Sequence, residues 1–119
     1  MGVLGIIVLA PLAYGTLTRG GSNSNAIQTE TYQALFLSNN QIYFGHLETT
    51  KQFFMLRDVY YVQVADNGAQ GRIVKLGDVE THQPQNAMVI NPDHVLFWEN
   101  LKPESPVIKA ILNLQLQGH

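Results

Sequence analysis

Four histidines and a scatter of carboxylates are the side chains in this sequence whose types could support metal or acid–base chemistry. His46, His82, His94 and His119 could be recruited to a divalent metal together with Asp78, Glu80 or Asp93, since imidazole and carboxylate both ligate such ions. None of them stands at a recognised ligand spacing such as His-Glu-x-x-His. Glu48, Asp58, Asp78, Glu80 and Glu99 could include a general acid and its base. A small domain scatters carboxylates over its surface and loop ends, so solvated charge or a local turn hydrogen bond accounts for them more simply. Serine-nucleophile motifs, phosphate-binding glycine loops and dinucleotide fingerprints are missing. The chain has no Cys, which removes thiolate ligands, a cysteine nucleophile and disulfides. The expectation is a non-catalytic chain with no cofactor. A small metal-dependent hydrolase built on His82 and its acidic neighbours is the alternative from the enzyme class.

Aromatic residues carry a second kind of chemistry. Tyr43, Phe44, Phe53, Phe54, Tyr60, Tyr61, Phe97 and Trp98 lie in stretches that read as strands, where successive side chains face opposite sides. In a pair such as Tyr60-Tyr61 one ring must therefore leave the core side. Rigid aromatic groups are enriched in interface hot spots, which makes Tyr43, Tyr60, Tyr61 and Trp98 the candidate binding surface. Packing within the strands explains the remainder.

The elements that would position these residues are short. Tyr32 to Leu37 and Gln41 to Glu48 flank Ser38-Asn39-Asn40, which suits a tight hairpin turn, and Gly45 invites a sharp bend. Phe53 to Ala65 is longer, rich in β-branched and aromatic residues, and ends at Asp66-Asn67-Gly68, a second hairpin signal leading to Gly71–Gly77. Thr81 to Asn86 is a polar loop, after which Met88–Ile90 and Val95–Trp98 form two strands around the turn Asn91-Pro92-Asp93-His94. Five or six strands at this spacing predict a small β-barrel. A different period closes the chain: Ser105 can cap, Pro106 can open a helix, and Val107, Ile108, Ile111, Leu112 and Leu114 recur at spacings of three and four. That helix is expected to cover an open end of the barrel.

Ahead of this domain, residues 1–18 carry no charged side chain, and Val3, Leu4, Ile6, Ile7, Val8, Leu9, Leu12 and Leu17 make them almost uniformly apolar. As a helix the stretch would be about 27 Å long, close to the roughly 30 Å of a hydrocarbon core. A retained membrane anchor is the expectation. A cleaved signal with Ala13-Tyr14-Gly15 as its small-x-small site competes with it, although no basic n-region precedes the apolar run. Residues 19–29 are rich in Gly, Ser and Asn and read as a flexible linker, leaving 30–119 as the domain. Arg19 is the basic side chain nearest the anchor and by itself favours a cytoplasmic C-terminal side.

Composition agrees with one tethered module. The 119 residues leave room for a single modest core, and only 13% are charged against the roughly 25% usual in soluble domains. Seven Lys and Arg against nine Asp and Glu, scattered through the chain, give −2 overall and no electrostatic footprint for nucleic acid.

The strings YQALFLSNNQIYFGHL, LRDVYYVQ and IVKLGDVETHQPQNAMVINPDHVLFWENL resemble a family of uncharacterised bacterial proteins, found especially in candidate-phyla-type bacteria with reduced genomes. In that family an N-terminal membrane segment precedes one such domain. The resemblance covers roughly Tyr32 to Ile111. It implies this architecture and anchoring and brings no activity. Members usually carry Asn-Gly in the first turn where this chain has Asn39-Asn40, which still tolerates the left-handed conformation. A fainter similarity is to Sm-like proteins, whose first motif looks like Leu35 to Leu47 and whose second falls at Met88 to Trp98. It implies ring assembly and RNA binding. The chain departs from it at Asn91-Pro92-Asp93, where the family's basic residues would stand.

Together these readings predict a mainly β chain: a small SH3-like or Sm-like barrel of five to six strands with a short C-terminal helix, behind an N-terminal transmembrane or signal helix. The expected function is a non-catalytic membrane-tethered interaction or structural module. It would sit as a single-pass protein in the bacterial cell membrane, with the domain outside the cytoplasm. Its expected partners are the membrane through residues 1–18 and either a second copy or an envelope protein. An Sm-like oligomer that binds nucleic acid is the other alternative.

Overall fold

A computed structural model describes residues 26–64 and 71–118. The expected anchor, most of the expected linker, the Asp66-Asn67-Gly68 turn and His119 lie outside the described residues. The chain is mainly β: β1 (Gln33–Leu37), β2 (Ile42–Thr49), β3 (Phe54–Gln63), β4 (Arg72–Lys75), β5 (Ala87–Ile90), β6 (Val95–Asn100) and a C-terminal helix α1 (Pro106–Leu116).

All the strand pairs are antiparallel, and the sheet runs β4-β3-β2-β1-β6 with β5 also paired to β3. The β1–β2 hairpin turns where the asparagines predict it. Leu37 N–H donates to the Gln41 carbonyl at 3.0 Å, Asn40 N–H donates to the Leu37 carbonyl at 3.0 Å, and Asn40 takes φ 70°. That is a three-residue loop with its last residue left-handed, a conformation open to Asn because its short polar side chain bonds locally.

The bend expected at Gly45 has a different origin. The extra residue sits on β3, where Asp58 adopts φ 54° and the β2–β3 register shifts between Phe44 and His46. Gly45 stands opposite this bulge, and a Cβ there would lie 2.6 Å from the Arg57 carbonyl oxygen. Glycine is thus required by close approach of the neighbouring backbone. The bulge divides β3. Its first half pairs with β5 and its second half with β4, and both halves keep β2 on the other side. Asn86 closes the bend by accepting from Val59 N–H on its side-chain oxygen at 2.7 Å and from Asp58 N–H on its carbonyl at 3.2 Å.

Two apolar clusters occupy opposite faces of the sheet. The inner one holds Leu35, Leu47, Leu56, Val59 and Ile90, with Tyr43, Val95 and Trp98 packed against it. Ile90 on β5 and Trp98 on β6 share this cluster although their strands lie at opposite sides of the sheet, so the sheet is curled. It remains open, with no β5–β6 ladder among the described residues. The outer cluster holds Ala34, Phe44, Tyr60 and Ile111, so α1 lies across the outer face. The helix therefore does not close an end of the sheet as its sequence led us to expect. Alternation decides this: Ala34 and Phe44 point away from Leu35 and Tyr43, and that second apolar face needs its own cover. Ser105 caps the helix by accepting from Val107 N–H at 3.1 Å, and Pro106 occupies the first turn.

A polar node fixes the start of the domain. Gln33 is fully buried, and its amide donates to the Gln28 carbonyl at 2.8 Å and to Asn100 Oδ1 at 3.0 Å while its oxygen accepts from Leu47 N–H at 2.9 Å. Asn100 in turn donates to the Ala26 carbonyl at 2.9 Å and accepts from Gln28 N–H at 3.0 Å. Residues 26–29 of the expected linker are therefore bound to the sheet by its β1 and β6 strands.

Candidate functional site

The first half of β2 and the second half of β3 bring two of the four sequence-selected residues together. Tyr43 and Tyr61 are cross-strand partners on the inner face, with ring centroids 5.7 Å apart and planes at 65°. This edge-to-face arrangement suits the quadrupoles of two phenol rings. The Tyr61 hydroxyl donates to the Glu80 carboxylate, and the Tyr43 hydroxyl donates to Gln41 Oε1. Glu80 is held from its other oxygen by Gly77 N–H at 2.8 Å. Gly77 itself takes φ 99°, and a Cβ would meet the Pro84 carbonyl oxygen at 2.7 Å.

The electrostatics of this cluster follow from its bonds. Burial, then the hydrogen bond to Glu80 and its charge, pushes the Tyr61 phenol up to about 12, and burial with Glu80 nearby also raises Tyr43. The Tyr61 hydroxyl, helped by backbone N–H groups, holds the Glu80 carboxyl below the usual carboxylate range. At neutral pH the cluster is two neutral phenols beside one carboxylate. It offers two rings held in place by the hydrogen bonds of their hydroxyls to Glu80 and Gln41.

Beside the rings lies a groove of about 410 Å³, lined by residues 40–44 of β2 and its turn and by Tyr61, Val62 and Val64. The β2–β3 ladder ends at Tyr43–Tyr61, so the chain beyond diverges and leaves this space. Ile42 is 40% exposed, Val62 46% and Val64 68%. On the outer face the apolar surface continues from Ile42 through its cross-strand partner Phe36 to Phe97. Phe36 and Phe97 stack at 4.3 Å with planes 20° apart. The row Phe97-Phe36-Ile42 thus crosses β6, β1 and β2 and runs into the groove.

The chain matches no protein-family model, and no curated protein is significantly similar to it.

The other two selected residues sit elsewhere. Tyr60 is 2% exposed in the outer cluster beneath α1, so its ring cannot meet a partner. Both members of the Tyr60-Tyr61 pair are covered in part because both faces of this sheet carry apolar cover. Trp98 packs against the inner cluster, on the opposite face from Phe97. Sequence reasoning missed Ile42, Val62 and Phe97 as surface residues, with Phe36 half-buried between Ile42 and Phe97. The signal was available in the runs Ile42-Tyr43-Phe44 and Leu96-Phe97-Trp98, since consecutive apolar residues demand cover on both faces. An 11-residue helix is only about 16 Å long and cannot cover the width of such a sheet.

The candidate metal and acid–base residues are dispersed. His46 stacks on Tyr32 at 4.2 Å, His94 Nδ1 bonds Ser38 Oγ at 3.2 Å, and His82 is exposed in the β4–β5 connection. Glu48 pairs with Arg57 at 3.1 Å on the surface. Among the described residues no three of His, Asp and Glu gather in a metal-holding group. No helix among them is long and apolar enough to cross a membrane, and residues 1–18 lie outside them.

Proposed function

We propose that this protein is a non-catalytic, membrane-tethered interaction module that receives an extended apolar peptide segment of a partner protein in the groove between β2 and β3. The carrying observation is the row Phe97-Phe36-Ile42, continued by Val62, which leaves large apolar side chains exposed beside two rigid tyrosines. Contiguous exposed apolar surface of this kind marks interaction sites, and rigid aromatic anchors at its edge supply contact area at low entropic cost. The sheet itself belongs to the SH3-like or Sm-like barrel class in this reading. Support for that comes from the connection Asn91–His94, which links β5 on one side of the sheet to β6 on the other in a single 3-10 turn. The apolar, uncharged residues 1–18 support the membrane tether.

The test is selection from a random-peptide display library against the purified protein, with an Ile42→Asp variant of unchanged melting temperature as the counter-target. Peptides that bind the parent and lose binding to the variant support the reading. A library that yields nothing preferring the parent would overturn it. Fractionation of cells expressing the full chain, with protease added outside the inner membrane, tests the tether and its orientation separately.

A further inference from the structure

The first described residues and the exposed apolar end of α1 both connect to the start of β1. Ala26, where the described chain begins, is bonded to Asn100, and Thr31 Oγ1 donates to the Leu101 carbonyl at 2.9 Å. Next along the chain, Tyr32 takes a hydrogen bond on its hydroxyl from the Gln115 amide at 3.3 Å, close to the C-terminal end of α1. The final turns of that helix are therefore linked to the start of β1 through the side chains of Gln115 and Tyr32.

This end of α1 carries apolar groups that the core does not use. Val107, Ile111 and Leu114 pack inward, whereas Leu112 is 50% exposed and Leu116 is 86% exposed. At 100° per residue Leu112, Leu116 and Lys109 fall within an arc of about 60° that flanks the face buried through Ile108 and Ile111. Two leucines with a lysine one turn earlier match the interfacial pattern, in which the apolar groups enter the acyl boundary and the ammonium stays among the headgroups.

Chain length supplies the occupant. Seven residues, 19–25, separate the apolar stretch 1–18 from Ala26. Seven residues reach no more than about 25 Å in any conformation. Ala26 is bonded to Asn100 beside the Gln33 node, so a tether in the preceding residues would keep this end of the domain, with the C-terminal turns of α1, within reach of a bilayer. Two leucines would hold a free domain weakly. A linker this short raises their effective concentration at the bilayer into the range where a weak contact is populated.

We infer that this end of the domain is a second membrane contact, in which Leu112 and Leu116 of α1 enter the lipid interface beside the point where the tether leaves the domain. The inference rests on the proposed tether. It leaves the β2–β3 groove, at the other end of β1, free for a partner. With a formal charge of −2, the contact depends on apolar burial and needs no anionic lipid.

Because the sequence has no cysteine, a single introduced thiol can be labelled uniquely. The full chain carrying Leu116→Cys or Asp93→Cys is nitroxide-labelled and reconstituted into phosphatidylcholine vesicles. Flotation is scored, and collision of each label with dissolved oxygen and with a water-soluble nickel chelate is measured. Flotation with a several-fold higher oxygen-to-nickel ratio at position 116 than at 93 is the expected result. Flotation with equal ratios would overturn the membrane contact and leave the tether standing. A label at 116 shielded from both reagents would mean that protein, such as a second copy, covers the helix, which also overturns it. Failure to float would remove the tether and the contact together. A Leu112→Gln/Leu116→Gln variant adds an independent readout: trypsin cleavage at Arg19 in vesicles should accelerate several-fold with no loss of thermal stability.

Discussion

Gly45 on β2 and Arg57 on β3 approach so closely that a single added carbon could not be accommodated between them, since a Cβ on Gly45 would stand 2.6 Å from the Arg57 carbonyl oxygen and 2.8 Å from Leu56 Cγ. The contact lies where β3 carries its extra residue and changes partner from β5 to β4. Gly45→Ala should therefore destabilise the domain by about 2 kcal/mol, as overpacking against backbone usually does. Chemical denaturation of the two proteins checks this. An unchanged midpoint would mean that β3 can move away from β2 without cost.

The Gln33 node should be more sensitive than its polar character implies. Gln33→Leu keeps the volume but strands Leu47 N–H, which costs about 1–3 kcal/mol when buried without a partner, while the Gln28 carbonyl keeps only its bond from Thr31 N–H. A net loss of about 2 kcal/mol is expected. It should be accompanied by faster proteolysis within residues 26–31, because their bonds to the sheet pass through this side chain and Asn100. Limited proteolysis followed by mass measurement reads both effects.

Alkaline stability should report on Tyr61. Its phenol is raised from 10.0 to about 12 in the folded protein, so its contribution is fully present below pH 10 and is lost as pH rises towards 12. Tyr61→Phe has no such group and should show a shallower fall of unfolding free energy over that window. Glu80 works in the opposite direction: its lowered pKa gives stability above the ordinary value of 4.5 that disappears as pH falls further. Glu80→Gln should flatten the acid limb. Denaturation midpoints measured across both windows test the two signs.

The exposed apolar row should tolerate charge. Val62 is 46% exposed, so Val62→Asp should change stability by no more than about 1 kcal/mol, in the range of surface substitutions, while abolishing binding of any peptide selected on the groove. A large loss of stability instead would assign Val62 to the core.

Helix α1 offers a local test of its cap. Ser105→Ala removes the acceptor for Val107 N–H and should cost about 1 kcal/mol by thermal or chemical unfolding.

Much of the fold was legible in the order of residues. Ser38-Asn39-Asn40 specified a turn because asparagine reaches left-handed φ cheaply, and Ser105-Pro106 specified a helix start because one supplies an acceptor and the other a pre-set φ. Of the four residues proposed for a binding surface, Tyr43 and Tyr61 meet beside the groove, whereas Tyr60 and Trp98 pack against the apolar clusters. Nothing in the local pattern could divide Tyr43, Tyr60 and Tyr61, since all three occupy strands with apolar or aromatic neighbours on both sides.

By itself the sequence determined the elements, the turn chemistry and the uncharged apolar stretch of residues 1–18, because each depends on residues within a few positions of one another. Only the tertiary structure decided that the extra residue lies on β3 at Asp58, that Gly45 is needed for backbone clearance, and that Ile42, Val62 and Phe97 stay uncovered. Those outcomes depend on cross-strand register between distant segments and on a helix too short to span the face it packs on. No window of neighbouring residues contains either quantity.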